Sequence, residues 1–303
     1  DEFGRLDFRD CQFRSGRINL SQAGATLPGS FSFQNNLFER VQTTVYPYAV
    51  ASTLDMHNNL FKNGLLDAYA SPATPEMWLL RDNLFDRCWL GQNGAVDNDY
   101  NGYWLDAGQT RLSPEGANDR MLPSAPVYQT GPFGDAYLAT SSQLYSTNPN
   151  KRGSRSPADA GLYHYTTRTD QLKDGDQTGN VIIGRHYVAA ASGLPKDSDP
   201  STPDGIPDYV EDANGNGDPN DVSAGIETSP SLAQTAPGIP DSANLIYDDI
   251  DLDGDGLVGR IEKALTKNAL ISDNPLKLTQ VVTGEEPDLV TFKLPMDYDS
   301  LAG

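Results

Sequence analysis

Apolar and polar residues alternate in short stretches along the first hundred positions of the chain. Such alternation is typical of β-strands, since successive side chains of a strand point to opposite faces. A four-residue segment that ends in phenylalanine recurs within this pattern, at spacings of 25, 23 and 24 residues. Its four copies are Asp10–Phe13, Asn35–Phe38, Asn58–Phe61 and Asp82–Phe85.

A period near 24 residues predicts a short right-handed parallel β-helix, a solenoid in which each repeat forms one rung. Rungs stack about 4.8 Å apart, so equivalent residues lie directly above one another. We expect the phenylalanines to form an aromatic ladder inside, with leucines repeating in register. Asparagines would form a ladder of amide hydrogen bonds. The residues concerned are Phe13, Phe38, Phe61, Phe85, Leu37, Leu60, Leu84, Asn36, Asn59 and Asn83.

The two cysteines fall on different repeats of this pattern. Cys11 belongs to the first repeat and Cys88 to the fourth. Three steps of a parallel sheet place them roughly 14 Å apart, whereas a disulfide requires Cα atoms within about 7 Å. The sequence therefore predicts two free and mostly buried thiols.

Beyond the repeats the composition changes twice, which predicts a mainly β chain of four segments. The middle of the chain is rich in Ser, Pro, Gly and Asn, and two strings that end in His-Tyr, Ala160–Tyr165 and Ile183–Tyr187, are candidate strands there. A solenoid needs a cap over its open end, and these strands would supply one. The segments are β-helix rungs (1–107), an irregular capping region (108–190), an acidic segment (191–275) and a C-terminal strand or linker (276–303).

Negative charge is concentrated in the acidic segment. The whole chain has 42 acidic and 22 basic residues, and 33 of the acidic ones are aspartates. From Asp197 to Gly259 there are 13 Asp and 2 Glu and no Lys, Arg or His. Without counter-charge such a tract repels itself, so either cations neutralise it or it is disordered. The net charge of −20 also argues against nucleic-acid binding. No apolar run is long enough for membrane insertion.

The spacing of the acids favours calcium. Residues Asp251–Glu262 follow the D-x-D-x-D-G pattern of an EF-hand loop that a glutamate closes. Calcium prefers six to eight oxygen ligands in a flexible loop. We expect a short helix pair around this loop, and the predicted ligands are Asp251, Asp253, Asp255, the carbonyl of Leu257, and Glu262.

A weaker set of oxygens precedes this loop. Asp204–Glu211 has the latter half of a similar pattern, but Pro200–Pro203 interrupts the first half. Asp212–Asp218 adds a row of alternating oxygens. The alternatives to calcium binding are ordered turns without an ion, or disorder. The candidate ligands are Asp197, Asp199, Asp204, Asp208, Glu211, Asp212, Asn214, Asn216 and Asp218.

These acidic motifs resemble the thrombospondin type 3-like calcium repeats of bacterial surface proteins. The resemblance is carried by Asp197–Asp199, Asp204–Glu211 and Asp251–Leu257. The aromatic repeats, with Asn98–Tyr103 and Thr166–Gln171, resemble a right-handed parallel β-helix module found upstream of such repeats. The resemblance implies a large multidomain protein that is secreted or attached to the bacterial cell surface.

Catalysis and sugar binding are the alternatives, since parallel β-helices often carry polysaccharide lyases and hydrolases. A glycoside hydrolase needs two nearby carboxylates, and a lyase would add a basic residue. The three histidines show no zinc-site spacing. Exposed aromatic residues could stack on sugars or merely cover the solenoid. The residues weighed for these roles are Asp82 with Asp86, Asp97 with Asp99, Arg81, Arg87, Tyr46, Tyr48, Tyr103 and Trp104.

The sequence thus predicts a non-catalytic, calcium-stabilised extracellular module with a structural or adhesive function. Its expected partners are other domains of a larger surface protein, or copies of itself. A C-terminal strand completed by a neighbouring molecule would allow assembly into fibres. The alternatives are a carbohydrate-active enzyme and an adhesin that binds a polysaccharide.

Overall fold

The computed structural model describes residues 5–22, 29–47, 52–69, 77–145, 152–198 and 206–218. These residues are mainly β-structure, as the sequence predicts. The chain divides into two compact units, of which the first comprises 1–196 with 214–217 and the second 197–213 with 218–303. In the part described, no helix has the length and apolar character needed to cross a membrane.

The repeats fold into two curled parallel sheets of the first unit. One sheet has the order β1-β3-β5-β8-β11, and the other has the order β10-β7-β4-β6-β9-β12-β13, with β2 also paired to β4. The strands are β1 (Arg5–Arg9), β2 (Gln12–Gln22), β3 (Ser30–Gln34), β4 (Leu37–Pro47), β5 (Thr53–His57), β6 (Leu60–Lys62), β7 (Leu65–Ala68), β8 (Trp78–Arg81), β9 (Leu84–Asp86), β10 (Trp89–Gln92), β11 (Asp97–Asp99), β12 (Gly102–Trp104) and β13 (Arg120–Met121).

Three short antiparallel pairs complete the described part of the first unit. They follow the parallel strands in the chain, and none of them joins either parallel sheet. Their strands are β14 (Tyr128–Gly131) with β15 (Gly134–Leu138), β16 (Tyr165–Thr166) with β17 (Tyr187–Val188), and β18 (Ala190–Ala191) with β19 (Leu194–Pro195).

The predicted aromatic ladder is confirmed. Phe13, Phe38, Phe61 and Phe85 are paired in register, and their rings stack with centroid distances between 4.6 and 5.3 Å. Tyr103 continues the column at 5.2 Å from Phe85, because residues 97–104 form a fifth, shorter repeat. Such stacked rings contribute both apolar burial and a favourable ring geometry to the core.

The leucine column faces the other way from the phenylalanines. Leu37, Leu60 and Leu84 are buried in a second apolar cluster, formed with residues from 122 to 187 such as Tyr137 and Ile183. Neighbouring residues of a strand point to opposite faces, so a Leu-Phe pair can be buried on both sides only if a second layer covers the sheet. The chain beyond the repeats supplies that layer.

The asparagine ladder is also confirmed, and it is entirely buried. The Asn59 backbone N–H and side-chain Nδ2 both donate to Asn83 Oδ1, at 3.1 and 2.9 Å. Asn36 donates to Asn59 in the same way, and Asn83 to Asn101. Each buried amide is therefore paired within the column, as a buried polar group requires.

The residue before each ladder position turns the corner of the repeat. Asp10, Asn35, Asn58 and Asp82 have φ between +54° and +61°. Asp and Asn tolerate this left-handed backbone because their short polar side chains can bond locally. A second left-handed corner follows five residues later, at Ser15, Arg40, Asn63 and Arg87.

Residues 152–188 lie along this column of corners. Ser154 donates through its backbone N–H and its hydroxyl to the Asp82 carboxylate, at 2.6 and 2.7 Å. The Asn35 amide exchanges two hydrogen bonds with the His186 backbone, at 2.6 and 2.9 Å. The predicted strands near Tyr165 and Tyr187 exist and pair with each other. They contact the side of the repeats, along the corners, whereas the sequence predicts that they cover an open end of the stack.

Both cysteines are free thiols, as predicted. Cys88 is buried in the aromatic core, and burial raises its pKa to about 12. Cys11 is half-buried and occupies the ladder position of the first repeat, where its backbone N–H donates to Asn36 Oδ1 at 2.9 Å.

Candidate functional site

Half of the predicted calcium ligands lie outside the described residues. This holds for the whole EF-hand-like loop and its expected helix pair. It also holds for two acids of the upstream set. The residues concerned are Asp251, Asp253, Asp255, Leu257, Glu262, Asp199 and Asp204.

In the second unit, the described residues show a closed turn within the upstream pattern. Asp208 begins the short helix α1 (Asp208–Glu211). Its carboxylate accepts the Ser198 backbone N–H at 2.6 Å and the Ser198 hydroxyl at 2.7 Å. The beginning and the end of the predicted Asp197–Glu211 loop are therefore held together. Asp208, Glu211 and Asp212 are buried.

In the first unit, Asn214 and Asn216 form a turn of their own. Asn214 Oδ1 accepts the Asn216 backbone N–H at 2.8 Å. Gly215, between them, has φ +68° and accepts the Tyr163 backbone N–H at 3.1 Å. Within the described ranges, no group of three or more His, Cys, Asp or Glu is arranged to hold a metal ion.

The acids weighed for catalysis make structural contacts. Asp82 and Asp86 are both buried, and Asp82 fixes the flanking segment to the repeats. Asp99 binds the loop that follows the last repeat through the backbone and the amide of Asn118. The contacts are Asp82 with Ser154, Asp86 with Arg87, Asp97 with Arg81, and Asp99 with Asn118.

A buried ion pair involves His186, for which the sequence suggests only a packing role. Its Nδ1 lies 2.5 Å from Asp174 Oδ2, and its Nε2 lies 2.8 Å from the Ile182 carbonyl oxygen. Both partners are acceptors, so both ring nitrogens carry a proton and the ring is an imidazolium. Burial by itself lowers the pKa of His186, but the carboxylate of Asp174 outweighs it and raises that pKa.

This pair predicts that the first unit loses stability as the pH rises. Since the pKa of His186 is raised in the folded state, its contribution is complete below the unfolded pKa of about 6.5. It is lost as the pH rises through the higher folded pKa. Urea denaturation between pH 5.5 and 9 should show this decline in the wild type and a flatter profile in His186→Gln. Identical profiles for the two proteins would contradict the charged pair.

The four aromatic residues that were considered for sugar stacking differ in their exposure to solvent. Tyr103 is buried in the aromatic ladder, and Trp104 packs against the second apolar cluster. Tyr48 lies outside the described residues. Tyr46 is 38% exposed.

Sequence reasoning missed two further exposed aromatic residues, Tyr69 at 42% and Trp89 at 52%. Each is part of a strand pattern that also contains buried apolar residues, so only the strand register shows which side chains point outward. That register places Tyr69 beside Tyr46, and it places Trp89 on the same side of the sheet, one strand beyond Tyr69. We call the outward side of β4, β7 and β10, formed by Tyr46, Asp67, Tyr69, Trp89 and Gly91, the aromatic face.

The aromatic face has a notch at Gly91. Strand register places Gly91 beside Asp67, two residues after Trp89. A Cβ atom on Gly91 would lie 2.1 Å from Asp67 Oδ1 and 3.4 Å from the Tyr69 hydroxyl oxygen. The carboxylate and the phenol therefore converge over this glycine. Partial burial raises the pKa of Asp67.

No family model, no curated protein and no solved structure matches the chain.

Proposed function

We propose that the chain is a non-catalytic, calcium-stabilised extracellular module whose repeats form a short right-handed parallel β-helix. The observation that carries the proposal is the continuous polar column from Cys11 to Asp119. Each step of this column is a hydrogen bond between equivalent residues of successive repeats. A column of this kind gives the fold one register along its whole length.

A structural role also fits the way the buried polar residues are used. The ladder asparagines bond to one another, and the corner residues bond to the flanking segment. The paired carboxylates proposed for catalysis are tied to serine, arginine and asparagine side chains. These groups hold segments of the chain together.

The calcium part of the proposal is supported by the charge of residues 197–259, which have no basic residue to balance their acids. The contact of Ser198 with Asp208 supports loop closure in the same region. Extracellular modules bind calcium with dissociation constants of about 10⁻⁴–10⁻³ M. Such binding requires the abundant calcium found outside cells, so the proposal includes secretion or display on a cell surface.

Removal of calcium is expected to loosen residues 197–262 and to leave the repeats intact. In limited proteolysis with a calcium chelator, we expect cleavage in this tract at least tenfold faster than with millimolar calcium. Calorimetry should show calcium binding by the wild type and weaker binding by Asp253→Ala.

The matched control is Asp106→Asn, which removes an exposed carboxylate outside the tract. It should bind calcium like the wild type. Equal protection of the tract with and without chelator would refute the calcium proposal.

A further inference from the structure

We infer that the aromatic face is a binding site for an uncharged hexose polysaccharide. Among the described residues, seven large apolar side chains are exposed, and three of them lie on this face: Tyr46, Tyr69 and Trp89. Scattered exposed apolar residues are ordinary, whereas a group of them marks an interaction surface. The inference goes beyond the proposed scaffold function and does not depend on calcium.

The position of the rings suits a ligand that lies along the sheet. The rings of Tyr46 and Tyr69 are in edge contact, with centroids 6.5 Å apart. Trp89 lies on the next strand, four residues before the position opposite Tyr69. Strand geometry therefore places the Cα atoms of Trp89 and Tyr69 about 14 Å apart. Gly91 lies between them, and the Asp67 carboxylate and the Tyr69 hydroxyl occupy the space above it. The rings therefore flank a polar strip of sheet that a sugar chain can cover.

The notch supplies the polar contacts that a sugar needs. Asp67 Oδ1 and the Tyr69 hydroxyl converge over Gly91. A carboxylate accepts strong hydrogen bonds from hydroxyl groups, and a phenol can donate or accept. The C–H groups of a hexose ring carry partial positive charge, and the faces of Trp and Tyr rings are negative. One hexose can therefore stack on Trp89 and donate hydroxyl hydrogen bonds to Asp67.

Charge selects an uncharged polysaccharide over an acidic one. The only charged side chain in the aromatic face is the carboxylate of Asp67. An acidic polysaccharide would place its own carboxylates against this group, which is unfavourable.

The face fits a sugar better than a protein. A protein partner usually covers about 800 Å² on each side, around a continuous apolar centre. Here polar or small positions, namely Thr44, Asp67 and Gly91, separate the aromatic rings. On the opposite side of the same sheet, Val45, Leu66 and Cys88 are buried in the core. The backbone that presents the rings is therefore fixed before binding.

The test measures binding of the full chain to soluble glucomannan, hydroxyethyl cellulose and dextran by affinity electrophoresis and calorimetry, with polygalacturonate as the acidic comparison. We expect binding to at least one neutral polymer, in chelator as well as in calcium. Trp89→Ala should weaken it at least tenfold. Gly91→Ala should weaken it about as much, because a Cβ displaces the Asp67 carboxylate from the notch.

The matched control is Leu194→Ala, which removes an exposed apolar side chain away from the face. Its affinity should equal that of the wild type, and circular dichroism should show that all three variants are folded. The inference is overturned if no neutral polymer binds the folded protein, if only polygalacturonate binds, or if Trp89→Ala binds as well as Leu194→Ala.

Discussion

Replacing Asn59 with leucine is expected to lower the free energy of unfolding of the first unit by about 3–5 kcal/mol. The substitution removes the Oδ1 acceptor of the Asn36 backbone N–H and of Asn36 Nδ2. It also removes the donor to the Phe33 carbonyl. Each buried polar group left unpaired costs about 1–3 kcal/mol. Urea denaturation, followed by tryptophan fluorescence, measures the change.

The control for this variant is Asn93→Leu, at an exposed asparagine outside the ladder. It should change stability by less than about 0.5 kcal/mol, as surface substitutions usually do. If Asn59→Leu is as mild as Asn93→Leu, the ladder does not stabilise the fold.

Replacing Asp82 with alanine is expected to cost about 3 kcal/mol and to free the flanking segment. Ser154 would lose the acceptor of both its backbone N–H and its hydroxyl, at the buried carboxylate of Asp82. Alanine is also disfavoured at the φ of +61° that Asp82 adopts. Hydrogen exchange should therefore rise most in residues 152–187.

Asp82→Asn separates these two causes. Asparagine occupies the equivalent corners at positions 35 and 58, so it fits the backbone. Its amide oxygen can still accept one bond from Ser154. We expect it to cost less than half as much as Asp82→Ala. Equal losses in the two variants, or exchange that rises evenly across the first unit, would contradict the role of Asp82 as the anchor of the flanking segment.

The stacked repeats could be predicted in detail because a parallel stack turns a sequence period into spatial contact. Residues 23 to 25 positions apart become neighbours across one strand spacing, as Phe38 and Phe61 do. Identical residue types at that spacing therefore indicate the ladder directly. The fifth repeat, ending at Tyr103, has a shortened period of 18 residues between Asn83 and Asn101.

The contacts at the candidate sites join residues that are far apart in the sequence. The spacing of the repeats therefore could not predict them. Ser154 meets Asp82 across 72 residues of sequence, and His186 meets Asn35 across 151. Trp89 and Tyr69 differ in exposure from Tyr103, although all three are aromatic residues in a strand or directly after one. The calcium-binding prediction rests mainly on the spacing and the unbalanced charge of the carboxylates, and it stays a prediction for the residues around Asp251.

The sequence by itself determined the parallel pairing, its register and the two buried ladders. It did so because the same short residue pattern recurs at a nearly constant interval. It also determined the net negative charge of the chain. Only the tertiary structure decided that the leucine column has a second apolar layer, that residues 152–188 bind the corners, and that Asp67 and Tyr69 meet over Gly91. Those outcomes depend on which distant segment covers each face, and a single side chain's type does not specify its neighbour across the fold.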